Sequence, residues 1–338
     1  MKPKFYLGIL LILLVALVVI WAYYTTPRVP LFQKEGTAPA PPGAVSSVSS
    51  TVSPIFWGMK LVNETVSDQE LDELQALGLK VLSGEWGMSE ATAAEVLSLL
   101  SRVEARGMKL VINFSDGAAW GYREDGSDSP RKKPVWQKRK IQRYLKKIYA
   151  HPGIYGYDIS NEAGENLPNG ERFRITVAQL QAAARDVRAI DPNRPILMRM
   201  HYWDEEDGDF GARNPFAAGI ADIVMLNLYS NYSEDRTTPL LPNMLEDSGQ
   251  ILVDKILAVD PNVRVWLSLA AFQEMPYFVK PSITDLVRDI DAALVITGIE
   301  SIGFFGWGPE RYPEEPPGWY LPRDGVDLLS VIQEFISL

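Results

Sequence analysis

The sequence predicts an α/β fold, a (β/α)8 TIM barrel that follows an N-terminal transmembrane helix and a flexible linker. Short apolar runs rich in β-branched residues alternate eight times with amphipathic helical stretches. Eight strands that are each followed by a helix favour a closed parallel barrel over an open sheet. The segment that they occupy, 54–338, has a length typical of one such barrel.

The first 24 residues predict the transmembrane helix. No charged residue occurs from position 5 to position 24, and a helix of this length spans about 30 Å, the thickness of bilayer hydrocarbon. Lys2 and Lys4 precede the run, which places the N-terminus in the cytoplasm. We therefore expect a single-pass signal anchor in the cell membrane, with the barrel on the extracytoplasmic side. The alternative is a barrel secreted after signal cleavage.

Residues 25–53 predict the linker. Pro, Ser, Thr, Gly and Ala dominate this segment, which includes Pro39-Ala40-Pro41-Pro42. Such a composition buries too little apolar surface to form a core of its own. The sequence therefore divides into an anchor at 1–24, a tether at 25–53 and a barrel domain at 54–338.

The individual strands and helices follow from apolar runs and from capping residues. The runs predict strands at 55–59, 80–82, 109–113, 153–159, 196–200, 223–228, 263–269 and 301–307. Ser67 and Glu70 form a capping box for the first helix, which Gly78 ends, and the second helix begins at Ser89 and ends at Gly107. The other helices are expected at about 135–150, at about 175–190, before Asp260, from Ser282 to Gly298, and at 326–337.

Composition excludes several classes of function. The chain carries 33 Lys and Arg against 43 Asp and Glu, a net charge of -10, so it is a poor nucleic-acid binder. The absence of cysteine excludes disulfides, thiol nucleophiles and cysteine-ligated metals. Two histidines, His151 and His201, leave little room for a multi-histidine metal site or a Ser-His-Asp enzyme. We therefore expect no cofactor, no metal and no nucleic-acid partner.

Two segments of the sequence carry charges of a single sign. Residues 131–147 contain nine Lys or Arg and no acid. We interpret them as the solvated face of the third helix, with a nucleic-acid or lipid-headgroup surface as the alternative; the inner stripe of that helix is then Val135, Ile141, Leu145 and Ile148. Five of the six residues at 204–209 are acidic, and this segment is interpreted as a solvated loop, with Ca²⁺ binding as the alternative.

Candidate site residues follow the strands, because active sites of these barrels lie at the carboxyl ends of the strands. Carboxylates, amides and indoles converge there in larger numbers than packing requires. The candidates for carbohydrate binding are Asn161, Glu85, Trp86, Asn113, Trp120, His201, Trp203, Asn227, Tyr229 and Trp307. Trp86, Trp120, Trp203 and Trp307 are predicted to line one cleft, because sugars stack on flat aromatic faces.

The end of the fourth predicted strand carries the most specific motif. Gly153-Ile-Tyr-Gly-Tyr-Asp-Ile-Ser-Asn161-Glu162 resembles the strand-four signature of the clan A glycoside hydrolases, which include the family 5 cellulases and mannanases. The resemblance implies that Glu162 is the general acid/base and that Asn161 binds a sugar hydroxyl. The alternative for Glu162 is a buried structural carboxylate paired with Arg199 or Lys60.

Three further segments share the resemblance. Asp191-Pro-Asn-Arg-Pro195 leads into the fifth strand as it does in many of these enzymes, and Asn227-Leu-Tyr229 is similar to their His-x-Tyr with Asn in place of His. Trp307 matches the tryptophan that often floors the first sugar subsite.

The seventh strand departs from the family pattern. The resemblance implies a nucleophilic Glu at its end, where Leu269 or Ala270 stands. Glu274 comes later and is the leading candidate for the second carboxylate, with Glu85 as another. Two hypotheses follow. The chain is either an anchored glycosidase acting on a polysaccharide or oligosaccharide, or a non-catalytic carbohydrate-binding barrel that lost its nucleophile.

Overall fold

A computed structural model describes residues 53–54, 66–87, 92–115, 117–121, 134–162, 175–201, 215–233, 241–273, 278–307 and 321–337, with positions 53–54, 85–87 and 117–118 described by their backbone alone. The predicted anchor at 1–24 and the linker up to 52 lie outside this part. Within the described residues, no helix is both long enough and apolar enough to cross a membrane.

Strands and helices alternate along the chain. The strands are β1 (Ser53–Pro54), β2 (Val81–Gly87), β3 (Lys109–Asn113), β4 (Ile154–Asn161), β5 (Ile196–His201), β6 (Ile223–Leu228), β7 (Arg264–Ala270) and β8 (Ile299–Phe305). The helices are α1 (Asp68–Ala76), α2 (Ala93–Glu104), α3 (Gly117–Trp120), α4 (Lys138–Ile148), α5 (Val177–Arg188), α6 (Gln250–Val259, preceded by a π turn at Leu245–Gly249), α7 (Ile283–Val295), α8 (Leu321–Asp324) and α9 (Val326–Ile336).

The strands form one parallel sheet in the order β1-β8-β7-β6-β5-β4-β3-β2. Consecutive strands from β2 to β8 pair with one another, β1 pairs with β8, and β1 and β2 are the two ends of this strand order. This order brings the first strand beside the last, as a curled (β/α)8 sheet requires. The prediction of a parallel β/α fold with a curled sheet is therefore confirmed. The predicted first strand at 55–59 lies outside the described residues.

Four helices begin with reciprocal capping boxes, in which Ser67, Thr92, Thr176 and Ser282 are the N-caps. The prediction that Ser89 starts the second helix was wrong: α2 begins at Ala93. The Thr92 hydroxyl accepts from the Glu95 N–H, and the Glu95 carboxylate accepts from the Thr92 N–H. A box at Ser89 would place Thr92 at its third position, where no carboxylate is present to complete it.

Helix α4 is shorter than the predicted third helix and starts at Lys138. Ile141, Leu145 and Ile148 face the core as expected, but Val135 is 59% exposed and does not belong to the inner stripe. The physical reason is that the Val135 N–H donates to the Trp120 carbonyl at 2.7 Å. The segment before α4 is thereby tied to α3 in a non-helical conformation.

The segment Asp191-Pro-Asn-Arg-Pro195 has a structural role that its residues explain. Arg194 donates to the carbonyls of Ile154, Tyr149 and His151 and to the Asp191 carboxylate. Burial acts to raise the pKa of Asp191, but hydrogen bonds from Tyr157 and Arg194 outweigh it, so this pKa lies below its usual value. The motif therefore fastens the start of β5 to the end of α4 and the start of β4.

We predict that Arg194→Met destabilises the fold by ~2–4 kcal/mol, because three carbonyls and the buried Asp191 carboxylate lose the hydrogen bonds of the guanidinium. Urea unfolding followed by circular dichroism measures the change. The matched control is Arg185→Met, at an exposed position on α5. Equal unfolding midpoints for the two variants would show that the clamp contributes nothing.

Asp289 gives a second prediction, because its pKa is shifted in the opposite direction from that of Asp191. Burial in α7 raises its pKa to about 6, although the Ser230 hydroxyl and Arg288 act to lower it. The folded state therefore holds a proton that the unfolded state releases near pH 4. Stability should fall by up to ~3 kcal/mol as pH rises from about 4 to above 6.

We expect Asp289→Asn to remove this pH dependence, because the amide stays neutral and still accepts from Ser230. The free energy of unfolding, measured at several pH values between about 4 and 8, tests it. Parallel pH profiles for the variant and the parent chain would contradict the prediction.

Candidate active site

Glu162 follows the last residue of β4 in a left-handed backbone conformation. Its φ is 50°, and it is the one non-glycine residue with a positive φ in the described part of the chain. Its N–H donates to the Arg199 carbonyl of β5 at 3.0 Å, which holds the peptide in place. A left-handed residue other than glycine costs about 1–2 kcal/mol and is found where surrounding structure enforces it, often at functional sites.

Two neighbouring strands supply partners for the Glu162 carboxylate. The Asn227 Nδ2 group donates to Oε1 at 2.6 Å, and His201 Nδ1 lies 3.5 Å from Oε2. His201 and Asn227 are directly paired across β5 and β6, so the register of the sheet places both beside the carboxylate. The Glu162 side chain is 15% exposed, whereas His201 and Asn227 are buried.

A buried ion pair joins Asp158 of β4 to Arg199 of β5, on the N-terminal side of Glu162 along the strands. Arg199 Nε donates to Asp158 Oδ2 at 2.6 Å, and its Nη2 donates to the Ser115 hydroxyl at 3.3 Å. Ser115 in turn donates to Asn113 Oδ1 at 2.6 Å. Burial raises the pKa of the Asp158 carboxyl, and the Arg199 guanidinium opposes that shift. Because Asp158 occupies Arg199, this arginine does not serve as the ion-pair partner of Glu162.

Aromatic rings at and just after the ends of β6, β7 and β8 pack together into a cluster that we call the aromatic wall. Tyr229 stacks on Phe305 with ring centroids 5.6 Å apart and meets Phe272 edge-on at 5.2 Å. The Tyr229 hydroxyl lies 3.3 Å from the Ser268 hydroxyl of β7. Trp307 follows β8 and is 4% exposed.

The end of β7 carries no carboxylate. Leu228 of β6 pairs with Leu269, and Ala270 pairs with Phe305 of β8. Ala270, the last residue of β7, therefore lies level with Tyr229 and Phe305, one strand away from each. Its small side chain leaves room for the two rings to meet. Glu274, the predicted second carboxylate, lies outside the described residues.

The predicted site residues have different locations. Glu162, His201, Asn227 and Tyr229 lie on adjacent strand ends, with Asn161 exposed beside them at the end of β4. Asn113 is buried and belongs to the network of Ser115 and Arg199. Glu85 and Trp86 lie on β2 near its carboxyl end, with backbone positions alone described. Trp203 lies outside the described residues.

The prediction that Trp120 lines the cleft was wrong. Its side chain is 0% exposed, its indole N–H donates to the Ile159 carbonyl at 3.0 Å, and its ring packs against Trp136. A ring that is buried on all sides offers no face to a sugar.

Phe305 and Ser115 were not among the predicted site residues. A phenylalanine at the end of a strand has the same sequence signature as a core residue. Ser115 joins the site through a hydrogen bond from Arg199, and because Arg199 is distant in sequence no local pattern indicates this contact. Across the described residues, no group of three or more His, Asp or Glu side chains is placed to hold a metal ion.

No protein-family model matches the chain, and no curated protein matches it either. Solved structures match its fold. An endo-1,4-β-D-mannanase from Thermotoga petrophila RKU-1 superposes with a TM-score of 0.54 at 14% identity, over 84% of this chain and 99% of the mannanase. A family 5, subfamily 18 glycoside hydrolase from Streptomyces cattleya, solved with Manb1-4GlcNAc, gives 0.56 at 14% identity, over 80% of this chain and 74% of that chain.

A β-glucuronidase from an uncultured Clostridium sp. gives a TM-score of 0.56 at 13% identity, covering 85% of this chain. The chain spans about half the length of that enzyme, 50%. The fold of this chain is therefore that of the (β/α)8 glycoside hydrolases.

We predict that Trp120→Phe destabilises the fold by ~1–3 kcal/mol, because the buried Ile159 carbonyl loses its donor. It should leave carbohydrate binding unchanged, since the ring lies in the core. Urea unfolding measures the change in stability. Titration of the parent chain and the variant with one and the same glycan measures any change in binding. A variant with normal stability and weakened glycan binding would restore Trp120 to the cleft.

Proposed function

We propose that the chain is a membrane-anchored, extracytoplasmic glycoside hydrolase that cleaves a polysaccharide or oligosaccharide, with Glu162 as the general acid/base. One observation carries the proposal. A carboxylate at the carboxyl end of β4 is held by a strained backbone and by a 2.6 Å hydrogen bond from Asn227, and it remains partly exposed. The carboxyl end of the strands is where barrels of this kind perform chemistry.

Asn227 suits a carboxyl group that alternates between two protonation states. An ionised Glu162 accepts from the Asn227 amide, whereas a protonated Glu162 donates to its carbonyl oxygen once the amide has turned over. Asn227 Oδ1 is buried and has no hydrogen-bond donor among the described residues. A general acid/base passes through both states in each turnover, so one amide supports both.

The mechanism needs a second carboxylate or a substitute for it. A retaining enzyme places its two carboxyl groups about 5–5.5 Å apart, and an inverting enzyme about 6.5–9.5 Å apart. Ala270 does not supply this group, so the proposal assigns it to Glu274 first and to Glu85 second. Glu85 lies on β2, which pairs with β3.

The second candidate function is a non-catalytic carbohydrate-binding barrel. The observation in its favour is Ala270, which stands between Tyr229 and Phe305 where the family pattern implies a nucleophilic Glu. Such a protein would keep the aromatic wall and the polar strand ends and would bind glycans without cleaving them.

The membrane location rests on the sequence. The uncharged run at 5–24 follows two lysines and precedes a linker rich in Pro, Ser, Thr, Gly and Ala. A tether of this composition holds a folded domain near a bilayer while leaving it free to meet an extended substrate.

We predict that Glu162→Gln lowers turnover by roughly 10²–10⁴-fold, the usual contribution of a general acid, while fold and glycan binding persist. A panel of polysaccharides, assayed for reducing ends, identifies the substrate for this comparison. A dinitrophenyl glycoside, whose leaving group needs no proton, should recover part of the first step. The matched control is Glu104→Gln, at an exposed position of α2, which should behave as the parent chain.

The second carboxylate is tested by Glu274→Ala and Glu85→Ala. Removal of a nucleophile abolishes activity on both substrates, and added azide restores it on the dinitrophenyl glycoside. If the parent chain binds a glycan but hydrolyses none, and neither variant changes that, the binding barrel replaces the hydrolase. Parent-level activity in Glu162→Gln would overturn the assignment of Glu162.

A further inference from the structure

Helix α4 (Lys138–Ile148) carries an outer surface of positive charge. At about 100° per residue, five of its cations fall within an arc of about 120°. We call this surface the cationic arc; it consists of Arg139, Lys140, Arg143, Lys146 and Lys147, all of them exposed. The buried stripe of the helix lies on the opposite side.

These charges oppose the stability of their own helix. The first turn contains three cations and no acid, although the positive end of the helix dipole favours acids there. Gln137 provides no side-chain cap, whereas α1, α2, α5 and α7 all begin with capping boxes. Arg139 and Arg143, and Arg143 and Lys147, are like charges four residues apart, a spacing that destabilises helices.

Ion pairs within the described part of the chain cover little of this charge. Lys138, on the flank, forms an ion pair with Asp186 of α5 at 2.6 Å. Arg139, Arg143, Lys146 and Lys147 form no ion pair with any residue that the structure describes. The chain as a whole has a net charge of -10, so acidic residues are plentiful elsewhere. A local conflict of this kind, with no ion pair to a described residue at Arg139, Arg143, Lys146 or Lys147, favours a partner outside the fold.

A recess in the surface defines the chemistry of that partner. It has a volume of about 430 Å³ and is lined by Arg139, Gln142, Arg143 and Lys146. Two guanidinium groups one helical turn apart present planar forks that match carboxylates, and the Gln142 amide both donates to and accepts from hydroxyl groups. The volume falls within the range of small-ligand sites.

We propose that the cationic arc binds a polysaccharide that bears carboxylate groups, through a site on the outer wall that shares no residue with the site around Glu162. A concave recess with an amide among arginines fits sugar units better than a flat bilayer surface. The proposal is independent of hydrolysis, because a binding barrel would use the same surface.

The experiment compares two triple variants of the full chain in a neutral detergent. Arg139→Gln/Arg143→Gln/Lys146→Gln removes three charges from the arc, and Lys80→Gln/Lys109→Gln/Arg185→Gln removes three exposed charges elsewhere. Both change the net charge from -10 to -13. The probes are polygalacturonate, dextran sulfate, neutral dextran, mixed micelles with phosphatidylglycerol, and duplex DNA, each titrated at about 50 mM NaCl.

We expect polygalacturonate to bind the parent chain and the control triple with affinities within about twofold of each other. The arc triple should lose at least about tenfold in affinity, and binding by the parent chain should weaken steeply when salt is raised to about 200 mM. Arg139→Lys/Arg143→Lys keeps the charge but loses the planar forks. It should therefore weaken the binding of polygalacturonate and leave the binding of the other probes unchanged.

A separate readout needs no ligand. Removing the repulsion within the arc should raise the thermal midpoint of the arc triple at low salt, and the rise should shrink as salt screens the charges. An unchanged midpoint would show that the arc carries no local conflict.

Three outcomes overturn the proposal. Equal binding of polygalacturonate, dextran sulfate and DNA would show a general polyanion surface. Binding of phosphatidylglycerol micelles alone would assign the arc to lipid headgroups. Unchanged polygalacturonate binding by the arc triple would place any glycan contact elsewhere on the chain.

Discussion

The junction between β4 and β5 determines the geometry of the candidate site. The register of the two strands shifts between Asp158 and Asn161, and the Glu162 N–H then donates to the Arg199 carbonyl. The side chains of Arg199 and Asp158 pair in the interior, while the carboxylate of Glu162 reaches the strand ends. One irregularity in pairing thus fixes a buried ion pair and a partly exposed carboxylate at the same place.

The ion pair at this junction is well suited to hold the irregularity. A buried charge without a partner is strongly unfavourable, so Asp158 and Arg199 constrain each other's strands. Ser115 and Asn113 extend the network to β3. The strain in the Glu162 backbone is therefore supported by polar contacts from three strands, which is the usual condition for retaining a strained residue at a functional site.

Most of the fold could be predicted from local patterns. Strands β3 and β6 have the predicted bounds, because buried parallel strands are continuous apolar runs with clear ends. Helix starts were predictable where a capping box is complete, as at Ser67 and Ser282, and failed at Ser89, where the box belongs to Thr92.

The site was less predictable, because its contacts join distant residues. The Trp120 indole bonds the Ile159 carbonyl, 39 residues away, and no local pattern distinguishes that ring from a cleft tryptophan. The hydrogen bond between Asn227 and Glu162 spans 65 residues and depends on the register of β4, β5 and β6. The motif located Glu162, but only the sheet revealed its partners.

The aromatic wall around Ala270 shows that the departure from the glycosidase pattern involves the neighbouring side chains as well as the absence of a Glu at this position. A carboxylate at this position would stand between Tyr229 and Phe305, whose rings are 5.6 Å apart and pack on Phe272 as well. Ionised carboxylates are costly in such surroundings without a donor. The apolar wall and the missing carboxylate are therefore consistent features of one repacked strand end. Any second catalytic group must therefore reach Glu162 from another loop or strand, whereas the proposed non-catalytic alternative requires no such group.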